Sequence, residues 1–299
     1  EGSPMKLSST RGLARSRTPL LAMLALAATL GLAGCENDDG ASGPSGPPDN
    51  GGGTGPTGPT GPADVPITLG GDVRNVGTGA GLTPQQVEDI GTLVATLDSA
   101  AVTGNKVVVE FTLKTPYGGK VLGLAPTALR LGVAKLVPAP GGGLPSRWQS
   151  YINRNATPSI ATPVLASAIQ ANTESGVAAG WTELGAGRYR YTSSVDLSQV
   201  TTLVAVPYEP SLTHRVSLAI DLTGSNGQRD LAPDNPFRDF VPAGGSPSSK
   251  LVATTANCAG CHVRFGEHGG PRRTVEYCVV CHNPASVDPD SGESVDMAY

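Results

Sequence analysis

Four of the five cysteines in this chain fall in two copies of one short pattern, Cys258-Ala-Gly-Cys261-His262 and Cys278-Val-Val-Cys281-His282. CxxCH is the attachment signature of c-type haem: two thiols bond to the porphyrin vinyl groups, and the next residue puts an imidazole on the iron. Zinc is a rival chemistry, because the sixteen residues between Cys261 and Cys278 fit the spacing of a four-cysteine ribbon. A pair of disulfides is a third reading, plausible in an exported chain. Neither rival has a use for the histidine that follows each pair. The motifs therefore predict two covalent haem c groups, with His262 and His282 as proximal ligands.

A six-coordinate haem of this kind needs a second axial ligand, usually His or Met. Beyond Cys35 the chain has one methionine, Met297, so histidine is the expected second ligand. After the proximal pair, His268 and His214 remain. His268 follows His262 too closely to wrap around the same haem, so a neighbouring iron is expected for it. His214 has two readings, a distal ligand or a hydrogen-bonded structural histidine on the core side of a strand. Between the motifs, Arg264, Arg272 and Arg273 are natural partners for haem propionates or, equally, solvated surface charges. About twenty residues per haem are too few for an apolar core, so covalent and iron bonds are expected to hold this part together.

The segments before the motifs must export and position them. From Met5, the basic residues Lys6, Arg11, Arg15 and Arg17 precede an apolar run, Pro19 to Gly31, too short to span a bilayer. Leu32-Ala33-Gly34-Cys35 resembles a bacterial lipobox, which makes residues 1–35 a signal peptide and Cys35 the lipidated first residue of the mature chain. Residues 36–65 are Gly, Pro and Ser with little that is apolar, and predict a solvated tether. Residues 66–250 alternate β-branched and polar residues between turn signals. Strands are expected at Lys106 to Leu113, Leu129 to Leu136, Arg188 to Ser193, Thr202 to Val206 and His214 to Leu222. Thr83-Pro84-Gln85-Gln86 opens a short helix to about Ile90, and Pro138 to Gly187 reads as a long irregular insertion with a helix near Pro163 to Gln170.

In the last strand, Val216, Leu218, Ile220 and Leu222 share the core-facing parity, leaving Ser217, Ala219 and Asp221 for solvent. The fold class is mainly β, an immunoglobulin- or fibronectin-like sandwich followed by a small multihaem segment at 251–299. The β domain has no GxSxG elbow, HExxH or phosphate loop. Trp148, Tyr151 and Trp181 are better read as packing than as a ligand platform. A net charge of −4 with 15% charged residues leaves no basic patch for nucleic acid.

Ser146-Arg147-Trp148-Gln149-Ser150-Tyr151, Thr213-His214-Arg215-Val216 and the run from Cys258 to Pro284, CAGCHVRFGEHGGPRRTVEYCVVCHNP, together with the lipobox, resemble the OmcA/MtrC family of decahaem c-type cytochromes. The resemblance is specific in the haem segment and loose in the β segment. It implies a lipid-anchored outer-membrane protein facing the exterior, passing electrons through bis-histidine haems to metal oxides or flavins. It also implies an electron-donating cytochrome and porin complex as partner. The family carries about ten motifs where this chain has two, so more sequence is expected beyond Tyr299. Two other functions remain open: a haem enzyme reducing a small substrate at an open distal site, and a β-domain binding lipoprotein.

Overall fold

The computed structural model describes residues 67–68, 91–141, 145–222, 231–250, 253–261 and 266–297. All of them belong to one compact unit, Thr57–Tyr299. The signal peptide, the tether and the helix expected from Thr83 lie outside the described residues.

Lys106 to Lys114 reads KVVVEFTLK, and its strict alternation makes it a strand with one dry face: Val107, Val109, Phe111 and Leu113 are fully buried. Among the described residues there are thirteen strands, numbered in chain order. They are β1 (Ile67–Thr68), β2 (Val94–Thr103), β3 (Lys106–Lys114), β4 (Val121–Leu122), β5 (Leu129–Val137), β6 (Arg147–Ser150) and β7 (Asn153–Ala156). After them come β8 (Ala168–Ala171), β9 (Glu174–Ser175), β10 (Trp181–Gly185), β11 (Arg188–Asp196), β12 (His214–Ile220) and β13 (Phe237–Phe240). One antiparallel sheet has the order β10-β11-β3-β2, and a second the order β13-β12-β5-β6, with β9 also on β5. β7 and β8 form a separate ribbon.

The hairpin between β2 and β3 turns on Gly104 and Asn105, both at positive φ (56° and 62°), with Thr103 opposite Lys106. Two left-handed residues in a two-residue loop match the twist of the strands they join. The main core lies between the sheets, where Phe111, Trp181, Tyr189 and Tyr191 interlock with ring centres 5.2–6.3 Å apart. Leu129, Leu131, Val133, Val216, Leu218 and Ile220 close it from the second sheet.

The sandwich expected from the sequence is present, and four local expectations need correction. Pro138 to Gly187 is not an irregular insertion: it supplies β6 to β10, and no helix forms at Pro163 to Gln170. Thr202 to Val206 is not a strand, because Leu203 adopts φ 64°, which breaks extended backbone. Ser217 and Ala219, expected on the solvent face of the last strand, are buried, as is every residue of β12 including Arg215, whereas Asp221, just beyond β12, is half-buried and pairs with Arg130. What covers the outer face of β12 corrects the fourth expectation. Helix α2 (Val275–Cys281), which follows α1 (Thr255–Ala259), packs on β12, β5 and β6. Val275, Val279 and Val280 meet Ala134, Leu136 and Trp148 there in a second small apolar cluster. The segment carrying the motifs borrows its core from the outside of a sheet.

Gly132 of β5 is what lets the helix approach. A Cβ there would lie 2.9 Å from Ser217 Oγ and 3.1 Å from Val280 Cγ1. Burying a side chain such as Val280 against this bare strip stabilises the docking by about 1.5–3 kcal/mol.

Candidate functional site

α2 begins where Thr274 caps it, accepting a hydrogen bond from Tyr277 N–H, with Glu276 in the first turn where the helix dipole favours a negative charge. Cys278 and Cys281 sit three residues apart and so share a face one turn apart. His282 caps the C-terminus, its N–H donating to Cys278 O at 2.8 Å. α1 carries Cys258 and is capped by Thr254 and Asn257 in a reciprocal box. The two helices are stitched at their starts: Thr255 Oγ1 donates to Glu276 Oε2 at 2.6 Å, and Val275 N–H donates to Thr255 Oγ1 at 2.9 Å. The two cysteine pairs are therefore neighbours. His262 lies outside the described residues.

Three side chains of the β domain fix α2 in place. Arg215 is buried, takes Asp239 with Nε and a terminal nitrogen at 2.7 Å each, and reaches Glu276 O at 3.3 Å. Its guanidinium also stacks over Trp148 (4.4 Å) and Phe237 (4.7 Å). Asn235 is buried too, donating to Pro271 O at 2.8 Å and accepting from Arg273 N–H at 2.6 Å. Sequence reasoning missed Asn235, Arg215 and Asp239 as a set. Nothing local marks them, because their partners lie from 24 to 61 residues away.

His282 Nδ1 lies 2.9 Å from Val295 O. A carbonyl only accepts, so Nδ1 holds the proton and Nε2 is left as the free lone pair. His268 faces it, with ring centres 5.9 Å apart and planes at 51°. The backbone arranges this: Glu267 and Arg272 pair as a small hairpin, and His268, Gly269 and Gly270 run through it at φ 51°, 90° and 113°. Burial lowers the His268 pKa, and the charges of Arg272 and His282 lower it further, so the imidazole is held neutral.

Two cavities flank this histidine pair. One of about 330 Å³ is lined by Cys258, Cys278, Met297 and Arg273, the other, of about 270 Å³, by Cys281, Ser286, Arg154 and Gln170. His268, His282 and Arg272 belong to the walls of both. All four motif cysteines are free thiols. Burial pushes the Cys281 thiol up to about 11 and raises Cys278 as well. A zinc ribbon needs converging donors, and among the described residues no three His, Cys, Asp or Glu side chains gather as a metal site. The arrangement fits a covalently held, planar group better. It offers two thiols one turn apart, an imidazole with Nε2 free at the helix end, a second imidazole opposite, and space on both sides.

His214 is far less available. It is buried, its Nδ1 donates to Leu212 O at 2.9 Å, and its Nε2 accepts from Tyr151 O–H at 2.9 Å. The Tyr151 ring stacks on it with centres 5.6 Å apart. Both nitrogens are committed inside the sandwich, on the face away from α2, and the structure does not bring His214 to the other histidines. Trp148, Tyr151 and Trp181 all serve packing. No helix among the described residues is long and apolar enough to cross a membrane.

The OmcA-like N-terminal domain model matches residues 94–246. Among solved structures, the outer-membrane decahaem cytochrome OmcA is 32% identical with a TM-score of 0.58, covering 69% of this chain and 32% of that one. MtrC from Shewanella baltica is 25% identical with a TM-score of 0.47, covering 64% of this chain and 29% of that one. The chain thus spans about a third of the length of these structures. No curated protein sequence matches it.

Proposed function

The chain belongs to the OmcA/MtrC family of cytochromes, and on that footing we propose that it is the leading part of an electron-transfer protein carrying two haem c groups. The observation that carries the reading is the His282 ring, whose Nδ1 is engaged by Val295 O, leaving Nε2 unengaged, and which lines both cavities beside the second cysteine pair.

Cys278 and Cys281 would hold one haem, with His282 as its proximal ligand; Cys258, Cys261 and His262 would hold the other. The haem iron supplies one-electron redox chemistry when bound. His268 would be the distal ligand of the second site. The 5.9 Å between the ring centres of His268 and His282 would let both imidazoles serve one bound group. Its backbone hairpin presents it as a neutral donor. The chain's own residues thus orient both imidazoles, fix the tautomer of one, and keep the site dry on the sheet side through Val275, Val279 and Val280.

The finer parts of the reading come with it. The β domain would span 66–250 and the haem segment would begin at 251. Cys35 would anchor the protein by lipid to the outer membrane, facing outward. Electrons would arrive from an outer-membrane cytochrome and porin complex and leave to metal oxides or flavins. Expression of the chain with c-type maturation machinery tests the core claim. Two haems per chain by pyridine haemochrome, with a low-spin spectrum for the second site, are expected. A colourless protein holding zinc overturns it, and a high-spin second haem that binds carbon monoxide when reduced turns it toward substrate reduction at an open site.

A further inference from the structure

The cavity shared by Cys281 and His282 is not built by the haem segment alone. One of its walls is the β7–β8 ribbon of the β domain, which contributes Arg154, Gln170, Ala171 and Asn172. The ribbon is tied to the loop after α2 by three hydrogen bonds: Ala171 N–H to Ser286 Oγ (2.9 Å), Gln170 Nε2 to Val287 O (3.2 Å), and Val287 N–H to Ile169 O (3.0 Å). Ser286 O in turn accepts Val295 N–H at 3.0 Å, and Val295 O is what orients His282. The ribbon, the loop and the proximal imidazole are one hydrogen-bonded series.

Arg154, an exposed residue of this wall, pairs with no carboxylate among the described residues, as is also true of Arg272 in the same wall. Arg130, Arg188, Arg190 and Arg215 of the β domain each pair with Asp221, Glu110 or Asp239. Among the described residues Arg154 has no acidic partner. Its one hydrogen bond runs to Gln170 Oε1 at 2.9 Å, which aims the guanidinium without neutralising it. The acid in the same wall, Asp288, accepts from Asp290 N–H, Ser291 N–H and Ser291 Oγ.

We propose that Arg154 is a cofactor-binding residue contributed by the β domain, whose guanidinium takes a carboxylate of the haem held at Cys278, Cys281 and His282. This rests on the haem reading given above. A guanidinium in the cavity wall with no acidic partner suits an anionic group, and haem brings two carboxylates. Arg forms planar two-point pairs with carboxylates, which suits a rigid ribbon better than a flexible cation would. A positive charge beside a haem carboxylate favours the reduced iron, so the β domain would raise the potential of the second haem.

The test is a potentiometric titration of the haem-loaded chain and its R154Q and R154K variants, with haem counted in each. In R154Q both haems should remain attached, and one of the two one-electron steps should shift toward the ferric form by roughly tenfold, which is a fall of about 59 mV. R154K, which keeps the charge, should recover most of that shift. Two attached haems with unchanged potentials in R154Q overturn the proposal, as does an R154K that behaves like R154Q. A parent chain that takes up no haem defeats the underlying reading instead.

Discussion

β12 has two faces, and they are packed by different means. Toward the first sheet, Val216, Leu218 and Ile220 enter a continuous core rich in aromatic rings. Toward α2, Arg215, Ser217 and Ala219 meet a cluster of few side chains, closed by a bidentate ion pair and one bare glycine. The first face is held by area, the second by a few specific contacts. The domain should therefore survive damage to the second face that it would not survive on the first, and the following experiments press on that contrast.

Phe111→Ala empties the centre of the first core and should cost about 3–5 kcal/mol, read as a fall in the midpoint of the whole domain in urea. Arg215→Met should cost less, about 1–3 kcal/mol, by leaving the partly exposed Asp239 without its cation. Its signature should differ: hydrogen exchange at 275–281 should rise far more than in β3 or β11. Equal exposure of all three segments would show that the two faces form a single cooperative unit. Gly132→Val should cost about 1–3 kcal/mol, because the added Cβ meets Ser217 and Val280. Proteolysis near α2 with an intact sandwich is the expected pattern.

The smallest effect should come from pH. Burial depresses the folded-state pKa of His214, so the unfolded chain binds the proton more readily. The stability from keeping His214 neutral is complete above its unfolded value of about 6.5 and is lost as pH falls toward the folded value. Thermal melts from pH 7.5 to 5 should show a decline that His214→Gln reduces, His268, whose pKa is lowered too, supplying a further part.

The same contrast explains what was legible in the sequence. Val107 to Leu113 declared a strand and its dry face because alternation is a local property, and the sandwich followed from several such runs. The CxxCH pairs are visible as a repeated local pattern, in which the histidine after each pair, not the spacing, points to haem rather than zinc. β2 passed unnoticed because its apolar positions are partly alanine and its outer residues are exposed. Ser217 and Ala219 of β12 read as solvated for a sound local reason: they alternate with the apolar Val216, Leu218 and Ile220. Their cover arrives from residues 275–281, and no window along the chain contains both partners. Arg154 and Asn235 were missed for the same cause, since each gains its meaning from a segment far along the chain. His268 could be singled out by inventory, yet its proximity to His282 depends on three successive left-handed residues.

The docking of α2 also decides what remains for other molecules to touch. With the outside of the second sheet occupied, the sandwich keeps one broad solvated sheet surface, the back of β3 and β11, where Glu110 bridges Arg188 and Arg190. Among the described residues the domain is thus two-sided: one flank is covered by the helix carrying Cys278 and Cys281, while the opposite flank carries the charges of Glu110, Arg188 and Arg190.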